Sequence, residues 1–292
     1  MLRRCSFRLL AAAAALAALV ALGGGVATAA PTDPRLEGVS SWAFAIGSGT
    51  LRGDLAARYG GYDLVVVDAQ EAGRRHLRTL QEDGTAVLGY LSVGTIERYR
   101  PWYTRLKPYR LQAWKDWKGE FFADVSRRGF RHQIARRIAP KLLAKGFDGL
   151  FLDNVDMIEN HKRQARGMRK LVAQLGRLVD AEGSLLFAQN GYSVLDRFLP
   201  HLDGWNREDV STYYDFDRDR YRWKGAASRN RAMKEIRKVA KASLLVTATD
   251  YTRRRGGARV KAALERACTA GALPFVSDIE LRRIPRRAHR CG

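Results

Sequence analysis

Short apolar runs alternate with amphipathic stretches along most of the chain. VSSWAFAI (39–46), DLVVVDA (63–69), AVLGYLSV (86–93) and GLFLDN (149–154) are followed by LLFAQN (185–190), the weaker DGWNRED (203–209), SLLVTATDY (243–251) and LPFVSDI (273–279). Runs this continuous predict strands buried on both faces. Between them, apolar spacing and glycine stops predict helices over 55–59, 71–83, 131–145, 161–180, 230–241 and 258–269. A short helical piece is expected to end near Leu199. Residues 94–119 read as a long loop rich in Trp and Tyr, and FFADV (121–125) as an extra extended piece.

Strand–helix alternation demands parallel pairing, because parallel neighbours need crossover connections. Eight such units predict an α/β fold, a single closed (β/α)8 TIM barrel over residues 31–292, with a basic C-terminal tail. The rival is a doubly wound open sheet, which carries a Gly-rich turn after its first strand. Here Ile46 is followed by GSGT, which lacks that spacing. No internal repeat or linker is visible.

Residues 1–30 stand apart. MLRRCSFR is basic, and LLAAAAALAALVAL is apolar but too short to span a bilayer comfortably. GGGVATAA then offers small residues for cleavage near Ala29 or Ala30. No basic flank follows, so a cleaved signal peptide is expected rather than an anchor, and the mature chain is placed outside the cytoplasm, secreted or periplasmic. Export changes the cysteine reading. Cys5 leaves with the leader, and Cys268 and Cys291 are expected to pair in an oxidising compartment, two free thiols being the alternative.

Charge complicates the picture. Lys and Arg number 52 against 30 Asp and Glu, a formal net charge of +22. A nucleic-acid binder is one reading of such a balance. The basic residues are scattered, however, over Arg74-Arg75, Arg127-Arg128, Arg136-Arg137, Arg253 to Arg255 and the tail from Arg282. Most fall in helical stretches and read as solvated outer faces. Peripheral association with an anionic envelope is the expectation, with no specific nucleic-acid partner.

Barrels of this kind build their sites at the C-terminal ends of the strands. The residues found there are Trp42, Asp68, Ser92, Asp153, Asn190, Glu208, Asp250 with Tyr251, and Asp278; Asp124 ends FFADV. The scarcer charge gathers at the strand ends. Helix capping accounts equally well for any one of these residues, Asp68 above all. As a group, carboxylates with aromatic neighbours suit glycoside hydrolysis, whose transition state is cationic. Trp42, Trp102, Tyr103, Trp114, Trp117, Tyr213, Tyr214 and Trp223 are candidate platforms for sugar rings, ordinary loop packing being the alternative.

Trp42, YLSVG (90–94), FFADV (121–125), KGFDGLFLDNVD (145–156), AQNG (188–191) and DYT (250–252) together resemble the TIM-barrel glycoside hydrolases of family 114. The resemblance covers most of the mature chain in order, and GFDG-x-FLD-x-x-D is its most specific element. It implies endo-α-1,4-polygalactosaminidase-like activity on a polysaccharide; no metal or cofactor is expected, and the chain is expected to act as a monomer. The implied catalytic pair, an Asp ending the fourth strand and a Glu ending the sixth, maps to Asp153 and Glu208. WNRED departs from the apolar approach usual before that Glu, and a cationic substrate stands in tension with a basic chain. In this reading Asp153 is the nucleophile or cation-stabilising group and Glu208 the acid/base. Asp68, Tyr90, Asp124, Asn190, Asp250 and Tyr251 join Trp42 as substrate-binding residues, and Asp156 caps a helix or binds a sugar hydroxyl.

Other chemistries fit less well. DFDRD (215–219) alternates aspartates like a calcium loop, but Arg220 and Ala226 stand where Gly and Glu are needed. The five histidines form no H-x-x-x-H pair. A metal-dependent lyase using Asp124, Asp153 and Glu208 remains a rival, as does a secreted polysaccharide- or envelope-binding barrel without catalysis.

Overall fold

The computed structural model of the protein describes residues 33–292, so the expected signal peptide lies outside the described residues. All eight apolar runs are strands: β1 (Trp42–Ala45), β2 (Leu64–Asp68), β3 (Ala86–Ser92), β4 (Gly149–Asp153), β5 (Leu185–Gln189), β6 (Gly204–Glu208), β7 (Leu245–Tyr251) and β8 (Leu273–Ser277). They form one sheet in chain order, each parallel to the next. β1 and β8 lie in contact, so the sheet curls into the expected (β/α)8 barrel. The indole Nε1 of Trp42 donates to the carbonyl of Leu273 at 2.9 Å, across the seam between first and last strands.

Alternation along each strand sends every second side chain inward. Those inward positions fill the barrel with rings. Trp42 packs on Phe44 at 5.9 Å and on Phe275 at 5.7 Å between centroids. Phe44 in turn meets Phe151 at 4.8 Å and Tyr90 at 6.2 Å. Gly204 yields its side-chain space to the ring of Phe187, which a Cβ there would strike. Beside this aromatic column lies a polar layer, in which Asn206 donates to Gln189 and accepts from Thr247 and Thr249.

The helices Arg74–Gln81, Ala165–Ala181, Ala226–Val239 and Ala258–Ala270 follow the expected pattern. Residues 128–143 form one helical run with a wider π turn at Ile134–Ile138. Two regions expected as loops carry strands of their own, and the extra piece expected at 121–125 is extended from Glu120 to Ala123. After β3, Thr95–Glu97, Arg110–Ala113 and Glu120–Ala123 make a small antiparallel sheet. After β6, Thr212–Asp215 pairs with Arg220–Trp223 as a hairpin. The DFDRD segment is the turn of that hairpin, with Asp215 bridged to Arg222 at 2.9 Å.

The opposite end of the barrel is the floor. The tail crosses it, and Cys268 is disulfide-bonded to Cys291. Arg290 pairs with Asp63, just before β2, at 2.7 Å. Burial works against that carboxylate, yet the hydrogen bonds from Arg290 and Ser40 hold Asp63 well below the usual range.

Candidate active site

The C-terminal ends of the strands open on a cleft of about 570 Å³ that is lined by both Asp153 and Glu208. Asp153 ends β4 on the same face as Phe151, and so stands directly above the aromatic column. Its Oδ2 accepts from the Tyr90 hydroxyl at 2.6 Å and from Asn154 Nδ2 at 3.1 Å. Its Oδ1 accepts from Gln189 Nε2 at 2.9 Å and from the Asn154 amide at 2.6 Å. Burial raises this carboxyl to about 6, and the hydrogen bonds it accepts work against the rise.

Glu208 ends β6. Its Oε2 accepts from Asn190 Nδ2 at 2.9 Å, and its Oε1 from the Tyr251 hydroxyl. Burial and the nearby Asp153 charge push it up to about 8. Consecutive residues of one strand end thus hold the two acids, Gln189 on Asp153 and Asn190 on Glu208.

A shared backbone device makes this possible. Asn154 follows β4, Asn190 follows β5 and Asp209 follows β6, with φ of 59°, 56° and 56°. Asn and Asp tolerate this left-handed region better than other side chains. The turn breaks the in–out alternation, so residues 189 and 190 both serve the site. The dipeptides Asp-Asn, Gln-Asn and Glu-Asp at three strand ends were the sequence signal for it.

The remaining predicted residues divide. Asp68, Tyr90, Asp156, Asn190 and Tyr251 line the cleft. Asp68 is committed to Arg100 at 2.7 Å and to the amides of Gln70 and Glu71. Asp156, in the first turn of the short helix Val155–Glu159, is pushed up to about 7 by burial and by the Asp153 charge. Three residues fall elsewhere. Trp42 is 1% exposed inside the barrel, where it closes the seam instead of meeting solvent. Asp250 points outward, as it must if its neighbour Tyr251 points in, and accepts from the amides of Ser211 and Thr212 at 2.7 Å each. Asp124 accepts from the Ser126 hydroxyl at 2.5 Å and is not among the cleft residues. Among the described residues no group of His, Cys, Asp and Glu is arranged to hold a metal ion.

The small sheet after β3 contributes groups that strand-end reading missed. Glu97 and Glu120 lie directly across from one another on adjacent strands. Arg100 neutralises Glu97 through contacts of 2.8 and 2.9 Å while also holding Asp68. Glu120 is pushed up to about 8 by burial and by the Glu97 charge. Trp114, Trp117, Tyr214 and Phe216 complete the rim. The cleft is lined by nine Asp and Glu against one Arg and one Lys.

A family model described as Glycoside-hydrolase family GH114 matches residues 25–289. The chain belongs to glycoside-hydrolase family GH114. The chain is similar to an uncharacterized protein of Deinococcus radiodurans, at 25% identity over an alignment of 306 positions that takes in 95% of this chain and 96% of the relative. Its fold matches the glycoside hydrolase domain of PelA from Pseudomonas aeruginosa with a TM-score of 0.72 at 24% identity, covering 84% of this chain and 97% of that one. It also matches Aspergillus fumigatus Ega3, solved in complex with galactosamine, with a TM-score of 0.67 at 16% identity, covering 87% and 95%. This GH114 protein is a glycosidase built on a TIM barrel. Its cleft holds two carboxyls that burial raises, Asp153 to about 6 and Glu208 to about 8.

Proposed function

We propose that this GH114 glycosidase is exported and cleaves α-linked, amino-sugar-containing polysaccharide, in the manner of an endo-α-1,4-polygalactosaminidase, with Asp153 and Glu208 as the reacting pair. The observation that carries the substrate class is a strongly acidic cleft in a chain of net charge +22. A polymer bearing ammonium groups is drawn into such a cleft and repelled by the rest of the surface. Ega3, of like fold, is described with galactosamine bound. The basic leader at residues 1–8 and the apolar run after it support export.

In this mechanism Glu208 gives its proton to the glycosidic oxygen as the C–O bond breaks. Asp153 faces the anomeric carbon as nucleophile or counter-charge to the oxocarbenium-like transition state. Water then supplies the hydroxyl that completes hydrolysis and returns a proton to Glu208. Tyr90, Gln189 and Asn154 keep Asp153 ionised and aimed. Tyr251 and Asn190 aim Glu208, while burial and the Asp153 charge keep its proton on.

The test is a reducing-end assay on α-1,4-linked polygalactosamine, its N-acetylated form and an acidic polysaccharide. New ends are expected from the galactosamine polymers and are expected to fall by about 10³-fold in Asp153→Asn and in Glu208→Gln. Near wild-type rates in both variants would sink the two-carboxylate mechanism. Cleavage of the acidic polymer alone would overturn the substrate class.

A further inference from the structure

A second and larger cleft, of about 1160 Å³, lies beside the catalytic one, and Tyr214, Tyr251, Ile279 and Glu280 form a wall common to both. Its charge is reversed. Eight arginines line it against three carboxylates. Two of those carboxylates are occupied within the chain, Asp278 by the amides of Arg282 and Arg283 and Asp219 by the Tyr214 hydroxyl. Arg253, Arg254, Arg255, Arg259 and Arg282 are exposed and form no ion pair among the described residues.

The loop that carries these arginines is built at a cost. Arg283 is 9% exposed and holds the loop through the carbonyl of Arg253 and the hydroxyl of Thr252, both at 2.9 Å. A guanidinium is thus buried on neutral partners to fix the position of its charged neighbours. The loop runs into the helix Ala258–Ala270, whose first turn has no acid and whose N-cap, Gly257, makes no side-chain bond. A helix start is the positive end of its dipole and favours anions there. Three arginines before it and Arg259 within its first turn add to that positive field instead of offsetting it. Among the described residues, three lining carboxylates offset only part of this concentration of positive charge.

We propose that this cleft binds an anionic glycan, a sugar chain bearing carboxylate or phosphate groups, while the adjoining acidic cleft performs hydrolysis. Planar guanidinia suit both anions through paired hydrogen bonds. The common wall with the catalytic cleft favours a glycan over a nucleic acid, because it sets these arginines beside a site that acts on sugar polymers. The inference rests on the glycosidase assignment but not on which bond is cut. It gives the enzyme two recognition surfaces of opposite sign, fitted to a matrix of mixed charge.

The experiment measures binding of fluorescein-labelled oligogalacturonate, of a phosphomannan oligosaccharide and of a single-stranded oligonucleotide of equal charge. The proteins are the wild type, the triple variant Arg253→Ser/Arg254→Ser/Arg255→Ser, and the control Arg136→Ser/Arg137→Ser/Lys141→Ser, which removes the same charge from an exposed helical face. The 253–255 variant is expected to lose at least about tenfold in affinity for one or both glycans and the control less than about twofold. The two glycan arms tell carboxylate from phosphate. Equal losses in both variants, or loss in neither, overturn the site. Tighter binding of the oligonucleotide, abolished by the same variant, overturns the glycan. Hydrolysis of polygalactosamine, followed in parallel, is expected to survive in the 253–255 variant. Its absence in the wild type alone would count against the catalytic reading and leave the binding result standing.

Discussion

Asn190 grips Glu208 from two sides: its Oδ1 accepts from the Glu208 amide at 3.0 Å while its Nδ2 donates to the carboxyl at 2.9 Å. Removing the amide takes away a donor that favours the ionised form. Asn190→Ala is therefore expected to lower kcat/KM about tenfold and to move the alkaline limb of the pH–rate profile upward. An unmoved limb would show that the contact does not reach the acid. In the wild type, kcat/KM is expected to rise through about 6 as Asp153 ionises and to fall through about 8 as Glu208 loses its proton. A profile flat across that range would remove the acid/base division. Asp153 was legible because it closes an apolar run, whereas Glu208 ends the polar WNRE stretch and was singled out through the family resemblance. Asp250 was misplaced because it was taken together with Tyr251, although the two-residue period lets only one of them face inward. Trp42 opens its strand rather than ending it, which puts it deep in the barrel.

Elements differ in how plainly they are written. Most barrel strands are buried on both faces, so their apolar runs stand out against any neighbour; β6, only half-buried at Arg207 and Glu208, is the weaker one. The small sheet after β3 has one partly open face and three short strands, including the polar Arg110–Ala113, and it leaves no such run. Glu97 and Glu120 were hidden for that reason: they lie off the strand ends, on an excursion that folds back over the mouth. Arg100 secures the excursion, with 4% of its surface exposed and two carboxylates in reach. Arg100→Met leaves Glu97 and Asp68 buried without a counter-charge and is expected to cost about 3–5 kcal/mol in urea denaturation. A loss under about 1 kcal/mol would mean that water enters and solvates the acids.

At the scale of the whole molecule, acids set the response to pH. Burial raises Asp153 to about 6, Asp156 and Asp250 to about 7, and Glu120 and Glu208 to about 8. Unfolded carboxyls titrate near about 4, so between these limits the folded state holds more protons. The contribution of these groups to stability is complete below about pH 4 and is lost as pH rises through 6 to 8. The Tm is expected to fall from about pH 5 to about pH 9, the fall shrinking in Glu120→Gln; a Tm that rises over this range contradicts the sign. The bond between Cys268 and Cys291 closes a segment with a sequence separation of 23. Cys291→Ser is expected to cost roughly 3 kcal/mol, read as a lower midpoint in guanidinium. The same staple also fixes geometry. It pins residue 291 beneath the barrel, beside Asp63 and on the side away from both clefts. Anything grafted beyond it, whether an affinity tag or a bead linker, would leave from the underside, so an immobilised enzyme is expected to keep its mouth turned toward the polymer.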